Sequence, residues 1–185
     1  KEDESTYPSE VKAELYRAND IENFDTVAAK ISTEKGVDIM FYASHAVNES
    51  IGPIFYYEFE NAVVTYTNRQ KSNCDIIAQF SDGTIRNYGN PFENVTKKLW
   101  TCIGAAAGLS VDITCKVETA IPHIICINGM QKSVPEIVNF PASLIKTEGD
   151  PELVWVEGLK ELLLDCYDNW TLPSDKEISW AKVGK

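Results

Sequence analysis

Three polar residues are candidates for binding a small-molecule ligand. His45 follows an alternating, strand-like segment, and an imidazole there could act as a general base or donate a hydrogen bond to a sugar-like ligand. His123 follows Pro122 in a predicted helix rich in isoleucine. Arg17 lies beside Asn19 at a predicted strand end, where the pair could grip a carboxylate or a polyol. We take Arg17, His45 and His123 as substrate-binding candidates, with a structural role as the alternative for each, and assign no catalytic residue.

Aromatic and acidic side chains offer two further kinds of site. Four aromatic residues in predicted strands could stack on a sugar ring, or pack across the sheet or in an interface: Tyr56, Tyr57, Phe59 and Tyr66. Two acidic pairs could be cast as glycosidase carboxylates: Glu58 with Glu60, and Glu22 with Asp25. The sequence does not fix the separation within either pair, and acidic residues are abundant in this chain, so the glycosidase interpretation has little support.

The sequence lacks the motifs that hold nucleotides and metals. There is no Gly-x-Gly-x-x-Gly after a strand and no Gly-x-x-x-x-Gly-Lys-Ser/Thr loop. The run from Gly104 to Gly108 suits packing of small residues inside a helix, because it ends a helix where a phosphate loop would begin one. Two histidines and scattered cysteines give no zinc ligand set. We therefore predict no metal site, and the cofactor-binding residues are unknown.

Charge and hydropathy exclude two classes of partner. The 185 residues contain 17 Lys plus Arg and 28 Asp plus Glu, for a formal net charge of -11, which repels phosphate backbones. We therefore expect no nucleic-acid partner. The longest apolar stretch, from Ile103 to Leu109, is too short to span a bilayer, so we expect no membrane segment.

The cysteines indicate the redox compartment. They are odd in number, irregularly spaced and without a Cys-x-x-Cys pair: Cys74, Cys102, Cys115, Cys126 and Cys166. This pattern is typical of reduced thiols, mostly buried as small apolar side chains, and predicts a cytoplasmic location.

The first half of the chain predicts β-structure. Apolar residues alternate with polar ones over seven segments, and Asp82-Gly83 between two of them is a strong hairpin signal. We predict an antiparallel sheet of about six or seven strands from these segments: Glu10 to Ala18, Thr26 to Thr33, Val37 to Ala43, Ile54 to Phe59, Val63 to Thr67, Ile76 to Phe80 and Thr84 to Tyr88. In the first, Val11, Ala13 and Leu15 form the buried face, and Lys12, Glu14 and Tyr16 the other.

The second half predicts helices. Apolar residues recur there at three- and four-residue spacing, and Pro122 is tolerable only in a first turn. We predict helices from Pro91 to Gly108, Thr119 to Gln131, Trp155 to Asn169 and Ser174 to Trp180, with a short strand from Ile137 to Phe140.

Strands first and helices afterwards predict an α+β fold, an open-faced, mostly antiparallel sheet with helices packed on one face. We expect a single domain over residues 1–185, with residues 1–9 as a flexible lead-in. The open face, with Met40 and Tyr42 exposed, would recruit a second copy of the chain, so we predict a homo-oligomer, a dimer through the sheet.

Several segments resemble the C-terminal domain of the glucose-fructose oxidoreductase / inositol dehydrogenase / MocA family (Gfo/Idh/MocA). The similar segments run from Glu14 to Asn19, from Ile21 to Val27 and over Ala43-Ser44-His45. The helix at Gly158-Leu159 and the ending from Leu172 to Ala181 are similar to the tail of some members. The family's Glu-Lys-Pro segment with its catalytic lysine has no counterpart here, and neither has its Asp-x-Gly-x-x-His segment.

The resemblance implies a function divided between two domains. In the family, an N-terminal Rossmann domain binds NAD or NADP, and the C-terminal sheet supplies part of the substrate cleft and the oligomer interface. This chain would then be the substrate-binding and oligomerisation half of a sugar or polyol oxidoreductase, its own Rossmann domain lying outside these residues. We expect it to bind no cofactor and to be inactive alone. The alternative is a free-standing dimeric α+β binding or interaction module without catalytic activity.

Overall fold

We describe a computed structural model of the chain, covering residues 5–67, 74–111, 113, 116–149, 152–182 and 184. It contains ten strands: β1 (Pro8–Arg17), β2 (Thr26–Thr33), β3 (Asp38–Ser44), β4 (Ile54–Phe59), β5 (Ala62–Thr67), β6 (Ile77–Phe80), β7 (Ile85–Asn87), β8 (Val138–Asn139), β9 (Ile145–Glu148) and β10 (Leu153–Val156). It contains three α-helices, α1 (Lys97–Ala106), α2 (Val117–Ser133) and α3 (Leu159–Asn169), and a 3-10 helix (Pro173–Lys176). The predicted α+β class, dominated by antiparallel pairing, is confirmed.

The strands form separate sheets, where the hairpin pattern predicts one. The strand orders are β3-β2-β1-β8, β4-β5-β6-β7 and β10-β9. The contacts divide the chain into a first unit, Lys1–Glu49 with Cys115–Lys185, and a second unit, Ser50–Thr114. Alternation predicts hairpins because they pair neighbours along the chain, but it carries no information on whether successive hairpins share a sheet.

One face of the first unit's sheet packs against α2. Ala13, Leu15 and Val27 are buried with Ala29 and Ile31, as their alternation predicts, and Met130 of α2 lies among them. An ideal Cβ built on Gly129 would lie 2.8 Å from Val11 Cγ2, so the absence of a side chain allows α2 to approach β1 closely.

The other face of this sheet is also covered, where we expect it to be open. Tyr16 lies there in a second core with Ala46, Phe140, Val156 and Leu159. Tyr42, expected to be exposed, instead donates its hydroxyl hydrogen bond toward the carbonyl oxygens of Cys166 (3.0 Å) and Thr171 (2.7 Å). Met40 is half-buried. The helices therefore lie against both faces of this sheet, because α3 and the residues that follow it return to the face opposite α2.

The residues after α3 cross this second face and end at the edge of β1. We call residues 171–182 with Gly184 the C-terminal segment. Leu172 and Pro173 are buried, and Trp180 packs edge-on against Tyr16 with ring centroids 5.1 Å apart. Gly184 donates its backbone hydrogen bond to the Ala13 carbonyl oxygen (2.9 Å). The segment thus covers both apolar surface and unpaired backbone of β1.

The second unit has few buried side chains of its own. Its sheet is a four-stranded antiparallel meander, and Ser81-Asp82-Gly83 forms the predicted turn, with Gly83 at a φ of 86°. Among the described residues of this unit, the large or apolar side chains buried from solvent are Tyr66 and Ala78. Helix α1 buries Gly104 alone.

Several predicted helix boundaries are wrong. Helix α1 begins at Lys97 and not at Pro91, and the last predicted helix is the short 3-10 helix Pro173–Lys176. Helix α2 begins at Val117, which places Pro122 in its second turn. Trp155 and Val156 belong to β10, which pairs with β9, and α3 begins only after Gly158, whose φ is 77°. Trp155 fits the apolar face of the helix pattern by spacing, so periodicity alone extends the helix too far. None of the described helices combines the length and the apolar character needed to cross a bilayer.

Candidate functional site

Arg17 and His45 lie at the same end of the first unit's sheet. β1 and β3 flank β2 and both end there, and Asp25 joins them: its N–H donates to the Tyr16 carbonyl (3.0 Å), and its carbonyl accepts from the His45 N–H (2.9 Å). Adjacent strands lie about 4.8 Å apart, so the backbones of Arg17 and His45 are separated by about 10 Å. Two of the three candidates therefore lie at the same end of the sheet.

The Arg17 guanidinium is largely used by the protein itself. Nε donates to Asn139 Oδ1 (3.0 Å), and Nη1 donates to the carbonyl oxygens of Ile21 (2.7 Å) and Glu22 (3.1 Å). These bonds tie the β1–β2 connection to β8, which is a structural role. The described bonds leave Nη2 as the atom that could contact a ligand.

The Asp25 carboxylate is also hydrogen-bonded to neighbouring residues. Its carboxylate accepts from the backbone of Ala18 and Asn19 (both 2.9 Å), from the Asn19 side chain (2.8 Å) and from Thr26 Oγ1 (3.0 Å). Asp25 is buried, and these four donors saturate it. It is therefore a turn-forming group, unsuited to act as one of a pair of glycosidase carboxylates.

The two histidines are exposed, and they lie on different elements. His45 follows β3 directly, and its imidazole is exposed at the same end of the sheet as Arg17. His123 lies on α2, in the turn after Pro122, and is also exposed. The structure therefore brings Arg17 and His45 to the same end of the sheet and places His123 on a separate element.

The most unusual polar group is the carboxylate of Glu14, which is completely buried on β1. The Tyr16 hydroxyl donates to Glu14 Oε2. Ser174 donates to Glu14 Oε1 from both its hydroxyl and its backbone N–H, the latter at 3.2 Å. The Lys182 N–H donates to the Tyr16 hydroxyl oxygen (3.2 Å). A carboxylate on the sheet thereby holds the C-terminal segment at two points.

The alternation pattern assigns Glu14 and Tyr16 to the polar face, and both are buried. Their sequence spacing is that of any exposed strand pair, and their partner Ser174 lies 160 residues away. We predict Ser174 as the start of a capping box, but it is Asp175 that accepts the Leu172 N–H (2.8 Å), which leaves the Ser174 hydroxyl for Glu14. No local signal in the sequence marks this cluster.

Burial holds protons on the two tyrosines of this face. Desolvation, with the hydrogen bond to Glu14 as a second cause, raises the pKa of Tyr16 well above its usual value. Desolvation is also the main cause that raises the pKa of Tyr42. Both hydroxyls therefore keep their protons at pH values at which an exposed tyrosine ionises. The C-terminal segment covers them, so this cluster is an internal polar network that stabilises the fold.

A partly exposed aromatic face distinguishes the second unit. The strand register places Phe55, Tyr57, Phe59, Tyr66 and Phe80 on one side of its sheet. Phe55 and Tyr57 stack with centroids 4.5 Å apart. Tyr57 and Phe59 are 54% and 59% exposed. We call these five residues the aromatic face. Of the predicted stacking residues, Tyr56 alone points to the other side.

The cysteines and the acidic residues form no metal site in the described part of the chain. No group of three or more His, Cys, Asp or Glu side chains is close enough there to hold an ion. Cys102, Cys126 and Cys166 are free thiols. Cys166 is buried as predicted, whereas Cys102 is exposed, and Cys74 and Cys126 are partly buried. Cys115 lies outside the described residues.

Comparison of the chain with protein-family models, with curated proteins and with solved structures found no match.

The buried tyrosines predict a stability loss at high pH. Unfolded tyrosine ionises near pH 10, while folded Tyr16 keeps its proton, so the unfolded state binds fewer protons above that pH. Ionisation of Tyr16 should leave the free energy of unfolding unchanged below pH 10. Above pH 10 this residue should lower the free energy of unfolding by about 1.4 kcal/mol per pH unit. Urea unfolding from pH 8 to 11.5 measures the slope. Tyr16→Phe should reduce it by that amount, and an unchanged slope contradicts the assignment.

Proposed function

We propose that this chain is the substrate-binding and oligomerisation domain of an NAD(P)-dependent oxidoreductase acting on a sugar, a polyol or a related hydroxyl compound. A Rossmann domain outside these 185 residues binds the NAD or NADP that carries the hydride, and a lysine of that domain assists proton transfer at the substrate hydroxyl. The present sheet orients the substrate. The chain alone has no oxidoreductase activity.

The observation that carries this proposal is the aromatic face of the second unit. A unit that buries so few large side chains while exposing Tyr57 and Phe59 has apolar surface suited to a partner. The partner we propose is a second copy of the chain, meeting this face in a homodimer. The resemblance of the segment from Glu14 to Asn19 to the Gfo/Idh/MocA family supports the same division between an interface and a substrate cleft.

We place the proposed substrate site at the end of the sheet where Arg17 and His45 lie. His45 is exposed there and offers a titratable donor or acceptor, and Arg17 offers Nη2. His123 is a weaker candidate because it lies on α2, a separate element. The free thiols of Cys102, Cys126 and Cys166 support the proposed cytoplasmic location, since a reducing compartment maintains cysteine in this form.

Cofactor binding tests the proposed division of function. We expect the 185-residue chain to give no saturable NADH or NADPH fluorescence titration, and the protein encoded by the complete reading frame to bind one of them with saturation. The reading frame should include about 120 or more residues before Lys1 with a glycine-rich strand–turn–helix. Saturable binding by the chain alone, or a start codon adjacent to Lys1, contradicts the proposal and favours the free-standing module.

Substitution on the aromatic face tests the interface. Phe59→Lys places a charge where the second copy should pack, and we expect sedimentation equilibrium to show the dimer dissociation constant rising by about tenfold or more. Gln79→Lys is the matched control, because Gln79 is exposed on the opposite side of the same sheet. A dimer that is equally sensitive to both substitutions, or to neither, refutes this interface.

A further inference from the structure

Two groups of contacts cover the outer edge of β1 within the described residues. At its C-terminal end, Tyr16 and Arg17 pair in parallel with Val138 and Asn139. At Ala13, the N–H donates to Ser133 Oγ (3.1 Å), and the carbonyl accepts from the Gly184 N–H (2.9 Å). The edge of a sheet carries unpaired backbone groups unless something pairs with them. Toward the N-terminal end of β1, the part of the chain that the structure describes shows no further pairing on this edge.

Val11 presents the next pair of backbone groups along this edge. Val11 and Ala13 are two residues apart on a regular part of the ladder, opposite Ile31 and Ala29, so their N–H and C=O groups point the same way, away from β2. Neither group of Val11 has a hydrogen-bond partner within the described part of the chain. Val11 therefore offers a donor and an acceptor in the geometry of strand pairing.

A shallow groove lies beside these groups. Its volume is about 240 Å3, and it runs between Ser9 and Val11 of β1 and Ile125, Gly129 and Lys132 of α2. Gly129 packs directly on the Val11 side chain, so no side chain at position 129 fills the groove. The groove is thus bounded by strand backbone on one side and by a helix flank on the other.

We propose that this groove binds an extended peptide of another polypeptide, which adds to the sheet as a strand antiparallel to β1. The orientation follows the C-terminal segment, which runs past Tyr16 at Lys182 and past Ala13 at Gly184, opposite in direction to β1. The peptide continues that path and exchanges both hydrogen bonds with Val11. Strand addition of this kind derives its affinity from backbone pairing and its specificity from alternate side chains.

The charges at the groove define the preferred peptide. Glu10 is already paired with Lys12 (3.1 Å), whereas Lys132 is exposed and has no ion pair among the described residues. Ile125 provides an apolar wall. The occupant is therefore an extended segment that places an apolar side chain against Ile125 and a carboxylate near Lys132.

Fluorescence anisotropy tests the groove with a defined probe. The probe is a fluorescein-labelled peptide of alternating threonine and valine with one central glutamate, titrated with the 185-residue chain at physiological ionic strength, where the chain's net negative charge is screened. We expect saturable binding. A version with N-methylated backbone nitrogens should bind about tenfold more weakly or worse, because it lacks strand-pairing donors.

A charge exchange keeps the test specific to the groove. Lys132→Glu, a substitution at an exposed position, should lower the affinity for the glutamate probe by about tenfold. A probe with lysine in place of its central glutamate should bind the Lys132→Glu chain with the original affinity. Hydrogen exchange should show the Val11 amide slowed by the probe. The proposal is overturned if the N-methylated probe binds equally well, if the lysine probe gives no recovery, or if a second copy of the chain protects Val11 without any probe.

Discussion

The fold of the first unit depends on the burial of one carboxylate. Glu14 lies on a strand face without contact with water, and a carboxylate left unpaired in such a place costs several kcal/mol. Tyr16 and Ser174 provide the donors that offset this cost. Because Ser174 belongs to the C-terminal segment, the sheet and that segment are stable only when they are together. This coupling closes a sheet face that would otherwise be exposed.

The rest of the unit follows from this closure. The same C-terminal segment packs Trp180 on Tyr16 and brings Gly184 to the edge of β1 at Ala13. The polar groups at the end of β1 are also bonded within the protein, since Arg17 and Asp25 form hydrogen bonds with neighbouring backbone and side chains. The imidazole of His45 is exposed, and the backbone groups of Val11 have no partner among the described residues. The second unit, by contrast, exposes aromatic side chains.

Much of the local structure could be predicted from residue alternation. The bounds of β2 and β4 agree with the prediction, and Val27, Ala29 and Ile31 form the predicted buried face, because a period of two depends only on neighbouring residues. The covered second face could not be predicted. It depends on Glu14 meeting Ser174, a pairing across 160 residues that leaves no periodic trace. Of the three candidate residues, Arg17 and His45 lie at the same end of the sheet and His123 lies on α2, and their role in binding stays a prediction.

Hydrogen exchange in Glu14→Gln tests the role of the buried carboxylate most directly. The substitution keeps the shape of the side chain and replaces one acceptor oxygen with an NH2 group, so the Tyr16 and Ser174 hydroxyls can no longer both donate to it. We predict that amides of the C-terminal segment exchange at least about tenfold faster than in the unsubstituted chain, while those of the β2–β3 hairpin change much less. Equal exchange of the segment in both proteins would contradict the claim that Glu14 holds it in place.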